Sequence, residues 1–222
     1  MTTYVELQVT SHFSFLRGAS SPEELFAAAQ LQGHRALGLC DWGSVAGVVR
    51  GWDGQKATGV RMIPGARVDL TDGRTLLLYP TDRQAWSRLT RLLSRGKARG
   101  GKGFCILDWS DVADHAEGLV AILLPDLADT VTRGNLLELA ALFGTRAHCA
   151  LSLRRRPDEF ERLHALDALA RETGVRAVAT GDILYHTPEA RPLQDVVTAI
   201  RERTTVDALG FRRERFMDRH LK

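Results

Sequence analysis

The chain has 222 residues, 44% hydrophobic and 26% charged, with a formal net charge of +3. That is apolar mass for one large domain or two small ones, and the charge is too slight to mark a nucleic-acid binder by itself. The longest apolar run, 118–125, falls far short of the ~20 residues that a membrane span needs. The opening MTTYVELQV has no basic patch leading into an apolar stretch, so no signal peptide is expected and the expected compartment is the cytoplasm.

In chain order, short β-branched or apolar runs alternate with helical patterns. The runs predict strands over 4–9, 36–40, 62–70, 75–79, 119–124, 148–153 and 176–180. Ser21-Pro22-Glu23-Glu24 combines a capping residue, a first-turn proline and a box glutamate ahead of Leu25, Phe26 and Ala29. Ser44 is placed to cap a helix running toward Thr58, and Thr81 one over 82–94. The leucine-rich spacing around Trp86 makes that residue a core position rather than a base-stacking one, while Trp52 and Trp109 are left unassigned. Pro157 is expected to open a helix with Phe160, Leu163, Leu166 and Leu169 on one face, and Pro188 another reaching about Arg203.

Asp72-Gly73 reads as a tight turn between two antiparallel strands, a hairpin near 62–79. The rest of the alternation predicts parallel strands with right-handed crossovers, either a distorted seven-stranded α/β barrel or an open doubly wound sheet. In both, chemistry belongs at the C-terminal strand ends, here 10–13, 41–43, Arg67 and 181–185. The glycine-rich basic stretch 95–103 is expected to be a mobile loop, since it lacks the glycine spacing and following Ser/Thr of a phosphate-binding loop. Further basic clusters lie at 154–156 and 201–222. Cys40, Cys105 and Cys149 are odd in number and share no CxxC spacing, which argues against a disulfide framework and a structural zinc.

The strand ends carry a recognisable set of segments: LQVTSHFSFLRGAS from Leu7, ALGLCDWGSVAG from Ala36, IPGAR from Ile63, ATGDILYH from Ala179 and LQDVVTAI from Leu193. In order and spacing they resemble the PHP domain of bacterial DnaE-type polymerases, and the FSFLRGAS wording and closing DRHLK resemble the error-prone branch. The resemblance implies a distorted (β/α)7 barrel of the polymerase and histidinol phosphatase type over 1–205, with 206–222 a basic segment leading toward an absent polymerase body. It also implies damage-induced, translesion DNA synthesis by the parent. The parent would use Mg2+ through domains not present here, and would meet primer-template DNA, a sliding clamp and accessory mutagenesis proteins, with no membrane partner.

An active site of this family gathers histidines and carboxylates around divalent ions that polarise a phosphoryl group. At the matched positions the resemblance implies a dismantled pocket. Gln8 and Thr10 stand for His-x-His, Asp41-Trp42 for Asp-His, Arg67 for a glutamate, and Asp182 with Leu184 for Asp-x-His. Only Asp41 and Asp182 keep a ligating side chain. Arg67, permanently charged, would repel a cation and is expected to pair with Asp41, Asp182 or both. Trp42 is expected to fill the volume left by the lost histidine. Asp41 as a helix cap and Asp182 as a turn former are the plainer uses of aspartate. His12, Tyr185 and His186 are expected at the pocket rim, the histidines in ordinary hydrogen bonds. Hence no metal and no catalytic residue is expected in this chain. The alternatives are an active metal-dependent phosphoesterase or pyrophosphatase, and a stand-alone truncated binding protein.

Overall fold

The computed structural model describes residues 4–153, 158–212 and 219–222. Seven strands form one sheet in sequence order: β1 (Glu6–Val9), β2 (Ala36–Trp42), β3 (Arg61–Asp69), β4 (Thr75–Pro80), β5 (Leu119–Leu123), β6 (Ala147–Ser152) and β7 (Arg176–Thr180). The helices are α1 (Pro22–Leu31), α2 (Val48–Thr58), α3 (Arg83–Gly100), α4 (Trp109–Asp114), α5 (Thr130–Phe143), α6 (Glu159–Glu172) and α7 (Arg191–Arg201). Beyond β7, the Thr10 amide donates to the Ile183 carbonyl at 2.9 Å and the Ile183 amide to the Gln8 carbonyl at 2.8 Å. These bonds nearly close the sheet into a barrel, and so decide between the two architectures that the pattern left open.

The hairpin forms as expected, with Gly73 at φ 89° in its turn and β3 antiparallel to β4. However, β4 is also antiparallel to β5, where a parallel pair was expected. The hairpin reverses the chain once. α3 and α4 then bring it back to the end it left, where the Thr81 amide meets the Gly118 carbonyl at 3.0 Å.

Inside the barrel, Cys40, Leu77, Tyr79, Ile122 and Ala150 form a buried cluster. Tyr79 reaches across the barrel to donate to the Leu7 carbonyl. Gly65 makes room for it, since a Cβ there would stand 2.4 Å from the Tyr79 ring. Outside, α1 packs Leu25 and Phe26 against Leu37 and Leu39, while Leu89, Leu92, Leu136 and Leu139 cover the same outer face farther along the sheet, over β3 to β6. This burial supplies most of the folding drive, at ~25 cal/mol per Å² of apolar surface.

Several local expectations are corrected. Residues 95–100 are the last turns of α3 rather than a mobile loop. Gly96 is there for close packing, as a Cβ would lie 2.6 Å from Cys105 Sγ. Arg95 and Arg99 are tied to the buried Asp111, Arg95 at 3.1 Å. Asp82, not Thr81, caps α3, accepting from the Ala85 amide. Ser44 caps no helix; its hydroxyl accepts from the Ala46 amide, and α2 starts after Gly47. In α6 the buried face is Glu159, Arg162, Leu166 and Ala170, and Phe160 is 85% exposed. The reason is polar: Arg162 pairs with Glu159 and donates to the Ser152 carbonyl at 2.6 Å, anchoring that face on β6. The helix expected from Pro188 is a 3-10 turn over Pro188–Ala190 followed by α7. Pro157 and residues 154–156 lie outside the described residues, as do 213–218 of the basic C-terminal segment. Among the described residues, no helix is long and apolar enough to cross a membrane.

The segment 206–222 was expected to lead toward a polymerase body. Its residues described after 218 pack onto the barrel: Leu221 is fully buried, and its amide donates to the Tyr185 carbonyl at 3.2 Å. The Gln32 and His34 side chains then bond the carbonyls of Leu221 and Lys222 at 2.9 and 2.7 Å.

Candidate functional site

The C-terminal strand ends converge on a polar pocket whose lower layer comes from β1, β6 and β7. Gln8 Oε1 accepts from Thr180 Oγ1 at 2.8 Å and Ser152 Oγ at 3.2 Å, and the two hydroxyls lie 2.6 Å apart. Gln8 Nε2 and the buried Thr10 Oγ1 have no hydrogen-bond partner.

Above that layer, β2 and β3 run in parallel register with Trp42 beside Arg67. The guanidiniums of Arg17 and Arg67 lie 3.8 and 3.9 Å from the Trp42 ring centroid. At those distances two such groups fit only on opposite faces of the ring, so Trp42 is held in a cation–π sandwich. Its observed role is to hold two guanidiniums in place beside the pocket.

Asp182 is the carboxylate that this layer surrounds. Its side chain is 2% exposed and its φ is 52°, in the left-handed region that aspartate tolerates better than most residues. Arg67 Nη1 stands 3.4 Å from Oδ1, and Arg219 Nη2 stands 2.8 Å from Oδ2. Arg219 Nε also donates to the Asp182 carbonyl at 2.9 Å. Arg67 Nε, 3.6 Å from Asp69, makes no hydrogen bond. The expected pairing of Arg67 with Asp182 is therefore present.

The pairing with Asp41 is not. Asp41 accepts from the Ser11 amide at 3.0 Å, from Ser11 Oγ at 2.9 Å and from Ser14 Oγ at 2.7 Å. Gly47 allows this approach, since a Cβ there would stand 2.4 Å from Asp41 Oδ2. Burial pushes the Asp41 carboxyl upward, opposed by the bonds from Ser14, Ser11 and the Gly47 backbone. Asp41 therefore ties the loop after β1 to the start of α2, and caps no helix.

Leu184, a matched pocket position, is buried and gives its amide to the Arg219 carbonyl. The expected rim is divided: Tyr185 is buried in a bridge with His220. His186 Nδ1 lies 2.7 Å from Ser20 Oγ. The exposed His12 ring rests near Phe13 with centroids 4.8 Å apart. Both histidines are thus in ordinary contacts near Ser20.

Sequence reasoning missed Arg17, Arg219, Ser11, Ser14 and Glu6. Glu6 had a readable signal, an acid two residues before Gln8 inside a strand. It is buried, accepts from Tyr4 Oη at 2.6 Å and from the Gln8 amide at 2.7 Å, and burial raises its pKa to about 7. Arg219 has no local signal, because its partner is 37 residues earlier in the chain.

These residues do not fit a multinuclear metal centre. Both Asp182 oxygens face guanidiniums, and Asp41 is engaged by serines. Among the described residues no group of three or more His, Cys, Asp or Glu could hold a metal ion.

Comparison with known proteins agrees on the fold. A putative metal-dependent phosphoesterase from Bifidobacterium adolescentis superposes with TM-score 0.62 at 12% identity, covering 80% of this chain and 86% of that one. An amidohydrolase from Chromobacterium violaceum, with bound sulfate and no metal, gives 0.60 at 15% identity, covering 81% and 87%. Among curated relatives, error-prone DNA polymerase 3 of Agrobacterium fabrum is 53% identical over 220 residues, and error-prone DNA polymerase 2 of Rhizobium meliloti 55% over 219. Each alignment covers 99% of this chain and 20% of the relative, so the chain spans about a fifth of the curated relatives it matches. The PHP domain model matches residues 6–174, and with the barrel and its strand-end motifs in place the chain belongs to the PHP domain family.

Proposed function

We propose that this chain is the N-terminal PHP domain of an error-prone DNA polymerase of damage-induced translesion synthesis in the cytoplasm. Within that polymerase it is a non-catalytic structural module that supports the polymerase body. Identity above 50% along the whole chain supports the parent. The observation that carries the module's role is the clamping of Asp182 between Arg67 and Arg219. A fixed cationic pair stands where a phosphoesterase would gather divalent ions, and it neutralises the carboxylate without any ion. Nucleotidyl transfer with Mg2+ belongs to domains outside this chain, and primer-template DNA, sliding clamp and accessory mutagenesis proteins are partners of the full-length parent.

Metal analysis of the purified chain, with phosphatase assays in added Mn2+ or Zn2+, tests the module reading. Bound metal far below one equivalent and no turnover above buffer are expected. Stoichiometric metal with turnover that disappears in Asp182→Ala would overturn it in favour of an active phosphoesterase.

A further inference from the structure

We propose that the outer face of α7 is a docking surface for the polymerase body, which takes this helix in an apolar groove. The proposal rests on the structural-module reading above and names the surface through which the module is held. Leu193, Val196, Val197 and Ile200 fall at i, i+3, i+4 and i+7 along α7, the spacing by which a helix anchors itself in a partner's groove. Leu193, Val196 and Ile200 are 53%, 43% and 56% exposed. Among the described helices, only α7 exposes three large apolar side chains; α2 and α5 expose two each. An apolar patch of this kind marks an interaction surface, whereas single exposed apolar residues are ordinary.

The helix is inverted relative to an ordinary surface helix, which buries its apolar stripe. Its inward face is Gln194, Thr198 and Ala199, the first two fully buried. Gln194 Nε2 donates to the Arg17 carbonyl at 2.8 Å, and Arg201 Nη1 to the Leu16 carbonyl at 3.1 Å. These bonds tie α7 to the loop after β1 and fix which face looks inward. Rolling the helix to cover its stripe would break both. Removal of the stripe from water, which is favourable, therefore falls to a surface brought from outside.

Chemistry and length identify the occupant. An aliphatic stripe offers no cation to a nucleic-acid backbone, whose binding is carried by lysine and arginine, so it suits protein. The error-prone polymerases align with 99% of this chain, α7 included, but over only 20% of their own length. Most of each relative thus lies outside the aligned part and can meet this helix. The match to the PHP domain model stops at residue 174, before α7. The helix therefore lies in a stretch shared with the polymerases and outside the match to the domain model.

Hydroxyl-radical footprinting read by mass spectrometry tests the surface. It compares the 222-residue chain alone with a chimera in which the chain replaces the aligned fifth of the Agrobacterium fabrum error-prone DNA polymerase 3. In the chimera, modification of Leu193, Val196 and Ile200 should fall about fivefold, as half-exposed side chains enter the core of an interface. Modification of the exposed Val49 and Trp52 of α2 should not change. Val196→Gln with Ile200→Gln should leave the melting temperature of the chain alone within about 2 °C, as surface changes do, yet restore modification of Leu193 in the chimera. Primer extension confirms that the chimera is assembled; failing that, the unaltered relative is compared with its own aligned fifth, read at the helix matched to α7. Equal modification of the α7 stripe in chain and polymerase, with protection elsewhere on the barrel, overturns this docking face and leaves the structural-module reading standing. No protection anywhere on the barrel overturns both. Protection already present in the chain alone and lost on dilution assigns the stripe to a second copy of this chain, and overturns the polymerase body as its occupant.

Discussion

Arg67 and Asp182 act through each other. The motif positions made their pairing legible in the sequence, but not the exclusion of Asp41. Asp41 and Trp42 are successive in β2, so their side chains leave on opposite faces of the sheet. Trp42 enters the barrel beside Arg67, and Asp41 turns out toward Ser11 and Ser14. Breaking a buried pair from one side costs ~3–5 kcal/mol, and Arg219, still in place, holds Arg67→Ala to the low end of that range. Adding Asp182→Asn should recover part of the loss, whereas Asp41→Asn should add its own cost independently. Urea denaturation of the single and double variants measures both couplings, and equal additivity for the two would contradict the geometry. Glu6 gives a pH signature. Its folded pKa of about 7 lies above the ordinary 4.5, so between those values the folded state holds more protons than the unfolded one. The cost of burying Glu6 is absent below about pH 4.5 and complete above about pH 7, so stability falls as pH rises through that window. Relative to wild type, Glu6→Gln should gain as pH rises, by up to about 3 kcal/mol, read from denaturation midpoints at pH 5 and pH 8.

At the scale of elements, periodicity and turn chemistry located all seven strands to within two residues at each end. The capping box of α1 forms as read, with the Ser21 hydroxyl on the Glu24 amide and the Glu24 carboxylate on the Ser21 amide. The misreading of 95–100 has a clear cause: glycine and charge were taken as marks of an exposed loop. In α3, glycine instead permits close packing, and the arginines have a buried carboxylate to meet. Gly51 in α2 shows the same use. A Cβ there would stand 2.6 Å from Met62 Sδ and 2.9 Å from Leu39 Cδ2. Gly51→Ala should therefore lose about 1 kcal/mol, because overpacking at ~1–3 kcal/mol outweighs the ~0.5–1 kcal/mol gained in helix propensity. Gly134→Ala in α5, with nothing within 4 Å of the new methyl, should be stabilising. Thermal melts of the two variants provide the comparison, and a shift of the same sign in both would refute the packing account.

For the whole molecule, the sequence by itself determined the strand–helix alternation, the hairpin, the family resemblance and which side-chain types stand at the strand ends. Those properties are local: each depends on residue identity, on a period of two or 3.6, or on a motif a few residues long. Tertiary structure alone decided that the sheet closes through Ile183, that β4 also opposes β5, and that Arg219 and Leu221 return to the barrel. It also decided that Asp182, rather than Asp41, receives the two guanidiniums. These outcomes depend on contacts between residues 30 to 190 positions apart, whose geometry no short window of sequence contains. A buried carboxylate must be compensated by whichever cation the folded backbone brings within a few ångströms. Here closure of the barrel brings Arg67 to one oxygen of Asp182 and the returning chain brings Arg219 to the other.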